Sequence, residues 1–202
     1  MATPRLFLAR HAETEWNVAH RMQGREDSPL TAQGIAQAEA LGESARALAV
    51  RHVCTSPLGR ARATSELVAR ACGAEVSVHA ALAELSFGEA AGGTIEQARA
   101  RWPRWWAERE RARWATRWPA GESYADAEAR LGAWLAQGEP PWTSTSTLVL
   151  AHQSVLRAFL VAALAWPIER ALEARFEACE LVEAAGGEPL RPHPPSTPAG
   201  RS

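Results

Sequence analysis

Two histidines, each close behind a short apolar run, are the most chemically suggestive residues of this 202-residue sequence. Arg10 precedes the first of them, His11, and Gln153 follows the second, His152. A neutral imidazole is a nucleophile, and the forked donors of arginine match the oxygens of a phosphate dianion. These residue types indicate phosphoryl chemistry, provided that the fold brings the two histidines together.

A sheet of short strands would bring them together. Apolar runs at 5–9, 51–56 and 147–151 are each followed by polar side chains and then by a helical pattern. Strands that alternate with helices are typical of a sheet covered on both faces, where ligands bind beyond the carboxyl ends of the strands. The second run would add Ser56 and Arg60 to this edge. We therefore predict an α/β fold, a three-layer sandwich with a mostly parallel central sheet and helices on both faces.

Periodicity and breaker residues predict the remaining elements. The predicted helices lie at 30–49 and 57–71, and the predicted outer strands at 75–80 and 178–184. The segment 186–202 is rich in Pro, Gly and Ser, so we expect it to be a disordered tail. The folded domain is accordingly predicted to span 1–185.

Residues 94–118 are unusual because they contain five tryptophans among seven arginines. Aromatic side chains interleaved with arginines can stack on bases and contact phosphates, as in a module that binds nucleic acid. The alternative is a helical excursion over the active site, in which the tryptophans pack onto the sheet and the arginines pair with Glu108 and Glu110. A formal net charge of -1 favours the excursion, and we expect no nucleic-acid partner.

Composition narrows the class of protein further. Hydrophobic residues make up 47% and charged residues 22% of the chain, as expected of one globular domain. Cys54, Cys72 and Cys179 are widely separated, so they predict neither a disulfide framework nor a zinc site. No apolar stretch approaches the ~20 residues that span a bilayer, and no signal peptide is recognisable. We expect a cytoplasmic protein without membrane, metal or cofactor partners; the oligomeric state, a homodimer included, stays open.

Six sequence motifs together resemble those of the histidine phosphatase superfamily, which includes the cofactor-dependent phosphoglycerate mutases. They follow the order and spacing of that superfamily over about 5–183: RHAETEWN, GREDSPLTAQG, TSPLGRARAT, LAELSFG, PAGESYADAEARL and LVLAHQSVLR. Within it, the chain is most similar to the fructose-2,6-bisphosphatase domain, which also has glutamine at the position of Gln153 and a segment like WPAGESY. The resemblance implies a histidine phosphatase domain over 1–185.

The resemblance also implies a role for each reacting residue. His11 would be the nucleophile that forms a phosphohistidine, which water then hydrolyses. Arg10 and Arg60 would bind the non-bridging oxygens, and His152 would add a further contact to the transferring group. Glu84 would be the general acid that protonates the leaving alcohol and then the base that activates water.

Other positions correspond to substrate-binding residues of the relatives. Asn17 would hydrogen-bond the phosphate, and Gln153 would contact the substrate. Two basic residues and a tyrosine that hold the sugar phosphate in the fructose-2,6-bisphosphatase domain correspond to Arg109, Arg113 and Tyr124.

Two positions depart from the pattern of the relatives. Ile95 stands where the fructose-2,6-bisphosphatase domain has another tyrosine of the sugar-phosphate set, which leaves the identity of the substrate open. Ala12 stands where the superfamily usually has glycine, in a turn close to the phosphate, so its methyl group is expected to narrow the site. A side chain this small is not expected to inactivate the enzyme.

The leading hypothesis is a metal-independent phosphatase that acts through a phosphohistidine on a small phosphorylated metabolite. A sugar bisphosphate is the preferred substrate class, because Arg109 and Arg113 would add positive charge at the rim of the pocket. Phosphoglycerate mutase and α-ribazole phosphatase are alternatives, although the mutases resemble longer chains with segments that enclose the site. A nucleic-acid or phospho-ligand binding module without catalysis is the alternative outside the enzymes.

Overall fold

The computed structural model describes residues 3–185 and 188–193 of the chain. Its strands are β1 (Leu6–Arg10), β2 (His52–Thr55), β3 (Glu75–Val78), β4 (Thr147–Ala151), β5 (Leu181–Ala184) and β6 (Arg191–His193). They form one sheet in the order β3-β2-β4-β1-β5-β6. β1, β2, β3 and β4 pair in parallel, whereas β5 and β6 pair antiparallel to their neighbours. The mostly parallel sheet predicted from the sequence is confirmed, with an antiparallel extension at one edge.

Eight α-helices are present in the described part of the chain. They are α1 (Glu15–Val18), α2 (Ala32–Ala47), α3 (Gly59–Cys72), α4 (Ile95–Arg101), α5 (Pro103–Arg111), α6 (Tyr124–Leu135), α7 (Gln153–Leu164) and α8 (Ile168–Glu173). The side chain of Thr31 caps α2 by accepting from the Gly34 amide, and Gly73 ends α3 with a left-handed φ of 70°. Within the described ranges, no helix combines the length and the apolar character needed to cross a bilayer.

Two hydrophobic cores lie on opposite faces of the sheet. Alternate side chains of β1 point to each face, so Leu8 packs with α6 and α7 whereas Phe7 packs with α2 and α3. Both side chains are fully buried, and burial of one such side chain stabilises the fold by about 1.5–3 kcal/mol. This arrangement is the predicted three-layer sandwich, and it holds the carboxyl ends of β1, β2 and β4 side by side.

The tryptophan-rich segment forms the predicted helical excursion. A separate cluster joins Trp118, which is 3% exposed, to Met22, Ala90 and Ala98, with other tryptophans packed against it. The Trp118 ring lies 4.7 Å from that of Trp105 between centroids. Exposed arginines stack on the outer tryptophans. Of the predicted ion pairs with Glu108 and Glu110, the described residues show one, a contact of 3.9 Å between Arg99 and Glu110. Packing accounts for these tryptophans.

The structure corrects two predictions about element boundaries. Residues 191–193 form β6, although their composition predicts disorder, and Pro192 fits there because β6 is an edge strand. Two parts of the predicted tail, 186–187 and 194–202, lie outside the described residues. Helix α3 begins two residues later than predicted, because the Asp27 carboxylate accepts from the amides of Gly59 and Arg60 and so caps it.

Candidate active site

A cavity of about 360 Å³ lies at the carboxyl ends of the parallel strands, beneath the tryptophan-rich excursion. It is lined by nine of the ten residues selected from the sequence: Arg10, His11, Asn17, Arg60, Glu84, Arg109, Arg113, Tyr124 and Gln153. The tenth, His152, is 1% exposed and has its ring centroid 5.1 Å from that of His11. The fold thus brings the predicted residues together from distant parts of the chain.

His11 follows β1 and is held in one orientation by two neighbours. Its Nδ1 lies 2.7 Å from the carbonyl oxygen of Ala12, and its Nε2 accepts from Nε of Arg60 at 3.1 Å. A carbonyl can only accept, so the proton of the imidazole sits on Nδ1 and the lone pair on Nε2. Burial, reinforced by the charges of Arg60 and Arg10, holds the pKa of His11 well below 6.5. The side chain is therefore a neutral base with its lone pair beside a cation.

His152 precedes α7 and is equally buried. Its Nε2 lies 2.8 Å from the hydroxyl oxygen of Ser56. Burial, followed by the charges of Arg60, His11 and Arg10, holds the pKa of His152 well below 6.5. Two neutral imidazoles therefore stand side by side among guanidinium groups.

We expect the free energy of unfolding to fall as the pH drops below about 6.5. The folded state keeps His11 and His152 neutral, whereas the unfolded chain protonates both, so the unfolded state gains protons in this interval. Full stability is present above the unfolded pKa and is lost with a slope of about 1.4 kcal/mol per pH unit for each histidine. Urea unfolding between about pH 7.5 and about pH 5.5 measures this slope. His11→Asn should flatten the curve, and an unchanged slope in this variant would contradict the assignment.

Arg60 is tethered by the loop that precedes α2. Its NH1 donates to the Glu26 carbonyl at 2.6 Å and to the Asp27 carboxylate at 2.8 Å, and its NH2 donates to the Gly24 carbonyl at 2.8 Å. Its Nε donates to Nε2 of His11. This long side chain, 3% exposed, is thus fixed by acceptors of the protein itself.

Glu84 connects the cavity to the start of α7. Its carboxylate accepts from the amides of Leu85 at 2.8 Å and of Ser154 and Val155 at 3.2 Å each. His152 provides no side-chain cap for α7, so Glu84 satisfies amides that the helix end leaves unpaired. Its negative charge favours the charged forms of Arg10 and Arg60, whose pKa values burial lowers.

The far wall of the cavity carries a second group of cations around Tyr124. Arg109 stacks on Trp118, with 4.6 Å from its guanidinium carbon to the ring centroid, and Arg113 lies 5.8 Å from the Tyr124 ring. Burial lowers the pKa of Arg109 to about 10, and the neighbouring charges of Arg113 and Arg157 contribute. NH1 of Arg157 donates to the Tyr124 hydroxyl at 3.2 Å.

Two residues predicted to contact substrate also have structural partners. The side-chain oxygen of Asn17 accepts from the Thr14 amide and hydroxyl in a capping box of α1. The Gln153 amide group donates to the Ala174 carbonyl and accepts from the Phe176 amide. Both side chains line the cavity, and these bonds use the oxygen of Asn17 and part of the hydrogen-bonding capacity of the Gln153 amide.

Ala12 is accommodated without backbone strain. It is fully buried, has no positive φ, and donates its amide to the Thr64 hydroxyl at 3.1 Å. Its methyl group therefore replaces the usual glycine at no conformational penalty. Sequence reasoning missed Arg157, although its spacing of four residues from Gln153 puts both on one face of α7. Arg21 and Trp118 also line the cavity without having been predicted as site residues.

The sequence matches the profile of the histidine phosphatase superfamily (branch 1) over residues 6–188. Similar relatives include the probable phosphoglycerate mutase GpmB of Citrobacter koseri, 34% identical over 87% of this chain and 82% of the relative. The corresponding Klebsiella pneumoniae protein is 35% identical over the same shares.

Solved structures with the same fold include two phosphatases. A mycobacterial glucosyl-3-phosphoglycerate phosphatase, in complex with VO3, superimposes with a TM-score of 0.76 and 29% identity, covering 94% of this chain and 96% of that one. A putative alpha-ribazole-5'-P phosphatase from Escherichia coli gives a TM-score of 0.77 and 25% identity, with 89% of each chain covered. This chain therefore belongs to the histidine phosphatase superfamily and is a phosphatase.

Proposed function

We propose that this phosphatase hydrolyses a small metabolite that carries a phosphate and a second anionic group, with a sugar bisphosphate as the preferred substrate class. The observation that carries the proposal is the charge of the cavity wall. Among the described residues that line it, Glu84 is the single carboxylate, and there are six arginines: Arg10, Arg21, Arg60, Arg109, Arg113 and Arg157. Six arginines against one carboxylate give the cavity more positive charge than a single phosphate group needs.

Five of the six arginines form two groups, which supports two anionic groups on the substrate. Arg10 and Arg60 accompany His11, whereas three others surround Tyr124 on the far wall. One charge pair at about 4 Å is worth about 4 kcal/mol at an effective dielectric of 20, so each group can hold a dianion. The likeness of Arg109, Arg113 and Tyr124 to the sugar-phosphate set of the fructose-2,6-bisphosphatase domain supports the same substrate class.

The proposed reaction has two steps. The first step needs the protonated form of Glu84. His11 Nε2 attacks phosphorus, the bond from phosphorus to the alcohol oxygen breaks, and the Glu84 carboxyl donates its proton to that oxygen. Glu84 then takes a proton from water, whose oxygen bonds to phosphorus as the phosphorus–nitrogen bond breaks. Arg10 and Arg60 stabilise the charge on the equatorial oxygens in both steps. His11 returns as a neutral imidazole, and inorganic phosphate leaves.

The GpmB relatives favour phosphoglycerate mutase as a second candidate. 3-Phosphoglycerate has a carboxylate as its second anionic group, so it also suits a wall with two groups of arginines. A mutase must pass the phosphoryl group from His11 back to a bound ligand before water reaches it. Interconversion of 3- and 2-phosphoglycerate, faster than release of inorganic phosphate, would establish this alternative.

Turnover across a substrate panel tests the proposal. The panel contains fructose 2,6-bisphosphate, glucosyl-3-phosphoglycerate, 3-phosphoglycerate, α-ribazole phosphate, sugar monophosphates and an aryl phosphate. We expect kcat/KM to be highest for a compound with two anionic groups. A preference for α-ribazole phosphate or for a sugar monophosphate would contradict the proposed substrate class while leaving the phosphatase activity intact.

Arg109→Met and Arg113→Met should separate the two groups of arginines. Each variant is expected to raise KM for a bisphosphate about 10-fold or more, because a hydrogen bond to a charged group is worth about 1.5–3 kcal/mol. KM for the aryl phosphate should change little, since it lacks the second anion. Arg111→Met is the matched control, because Arg111 is an exposed residue of α5 that does not line the cavity. Equal effects on both substrates would remove the reason for preferring a bisphosphate.

A further inference from the structure

The two histidines of the site are held through different ring atoms. Nδ1 of His11 donates to the carbonyl of Ala12, so the lone pair of the His11 ring is on Nε2, beside Arg60. The neighbour of His152 is instead a hydroxyl, Ser56 Oγ, and it lies 2.8 Å from Nε2. Which ring nitrogen of His152 carries the proton therefore depends on whether the Ser56 hydroxyl donates to Nε2 or accepts from it.

The contacts of Ser56 decide this. A serine hydroxyl has one hydrogen and two lone pairs. The Leu58 amide donates to Ser56 Oγ at 3.2 Å and so occupies one lone pair. The other partner of that hydroxyl among the described residues is His152 Nε2. If Nε2 donated, the hydroxyl hydrogen and the Nδ1 lone pair would both lack a partner, whereas a hydroxyl that donates to Nε2 leaves only the Nδ1 hydrogen unpaired, so we infer the second arrangement. Nε2 is then an acceptor, and the proton of a neutral His152 sits on Nδ1.

Nδ1 of His152 is buried and has no hydrogen-bond partner in the described structure. Buried N–H groups are almost always paired, so an orphan donor beside His11 indicates an acceptor that arrives with the ligand. The charges of Arg60 and Arg10 reach both rings, so this donor lies in the same positive field as the lone pair of His11. An oxygen of a phosphoryl group held by these arginines is such an acceptor.

We propose that Ser56 is a positioning residue that holds His152 as its Nδ1–H tautomer, so that His152 donates to a phosphoryl oxygen while His11 presents a lone pair to phosphorus. The proposal rests on the phosphohistidine chemistry proposed above. Both imidazoles then have the same tautomer but opposite functions, because a carbonyl holds one ring at Nδ1 and a hydroxyl holds the other at Nε2.

Long-range proton–nitrogen NMR of protein labelled with ¹⁵N-histidine tests the tautomer directly in the wild type at neutral pH. We expect both histidines to show a protonated Nδ1 and an unprotonated Nε2, with the His152 signals assigned from their loss in His152→Gln. A protonated Nε2 in wild-type His152 would overturn the proposal. This measurement needs no substrate, so its failure is distinct from a failure to trap phosphate on His11.

Variants of Ser56 provide the second arm. Ser56→Ala should allow the Nε2–H tautomer of His152 and lower kcat about 10-fold. Ser56→Thr keeps the hydroxyl, so it should keep the Nδ1–H tautomer and a kcat close to that of the wild type. Ser65→Ala removes another buried hydroxyl, one that bonds the Arg62 carbonyl, and should leave the tautomer of His152 unchanged. If Ser56→Ala keeps the wild-type tautomer and kcat, Ser56 has no positioning role.

Discussion

His11→Asn is expected to abolish both turnover and covalent incorporation of phosphate. Asparagine keeps a side-chain donor for the Ala12 carbonyl, so the turn after β1 should survive, but no nucleophilic nitrogen remains beside Arg60. Loss of a covalent nucleophile typically lowers kcat on the order of 10⁴-fold to 10⁶-fold. Incubation with ³²P-labelled substrate followed by a quench in alkaline detergent measures the intermediate. The wild type should carry label that is stable in alkali and labile in acid.

The control for this variant is His79→Ala. His79 lies beyond β3, packs against Trp134 with the two rings tilted, and does not line the cavity, so kcat should stay close to that of the wild type. Circular dichroism and the urea midpoint show whether each variant is folded. Label that persists in His11→Asn, or label that survives acid, would rule out His11 as the nucleophile.

Glu84→Gln should have the next largest effect, and that effect should depend on the leaving group. Removal of a general acid or base typically lowers the rate about 10²-fold to 10⁴-fold. A sugar phosphate needs a proton on its leaving oxygen, so formation of the phosphohistidine should become slow. An aryl phosphate leaves without that proton, so its first step should survive while activation of water fails. Stopped-flow measurements should then show a burst of phenol equal to the enzyme concentration, followed by slow turnover.

Glu122→Gln is the matched control for Glu84→Gln. Glu122 also accepts a backbone amide, from Ser86 at 2.9 Å, and pairs with Arg25, but it does not line the cavity. The substitution should lower stability slightly and leave the kinetics of both substrates unchanged. Equal loss of activity toward sugar and aryl phosphates in Glu84→Gln, without a burst, would contradict the proposed role.

The sequence pattern predicts that His11 and His152 lie at the same edge of the sheet, because apolar runs followed by polar residues mark the carboxyl ends of parallel strands. The order of the strands could not be derived in the same way. β4 lies between β1 and β2, and that neighbourhood depends on packing of helices that are distant in sequence. The family resemblance, rather than periodicity, provided the pairing of the two histidines.

The missed features share a physical cause. Arg157 is one of 22 basic residues, all of them arginines. Its place in the cavity wall depends on contacts with Tyr124 and the Ala174 carbonyl, which no local sequence pattern reveals. β6 was missed because Pro and Gly obscure a strand of three residues at the sheet edge, which has no apolar run and is defined by its pairing with β5. The three backbone amides that hold Glu84 are likewise invisible in its motif.

The tether of Arg60 has a thermodynamic consequence for inhibitors. Its guanidinium is already immobilised by Gly24, Glu26 and Asp27, so the entropy of ordering that side chain is lost during folding rather than during association. Even a compact tetrahedral oxyanion therefore meets a preorganised cation and gains affinity without remodelling the protein. The phosphate-binding end of the cavity is in this sense a rigid receptor, and discrimination among ligands then depends on the far wall around Tyr124.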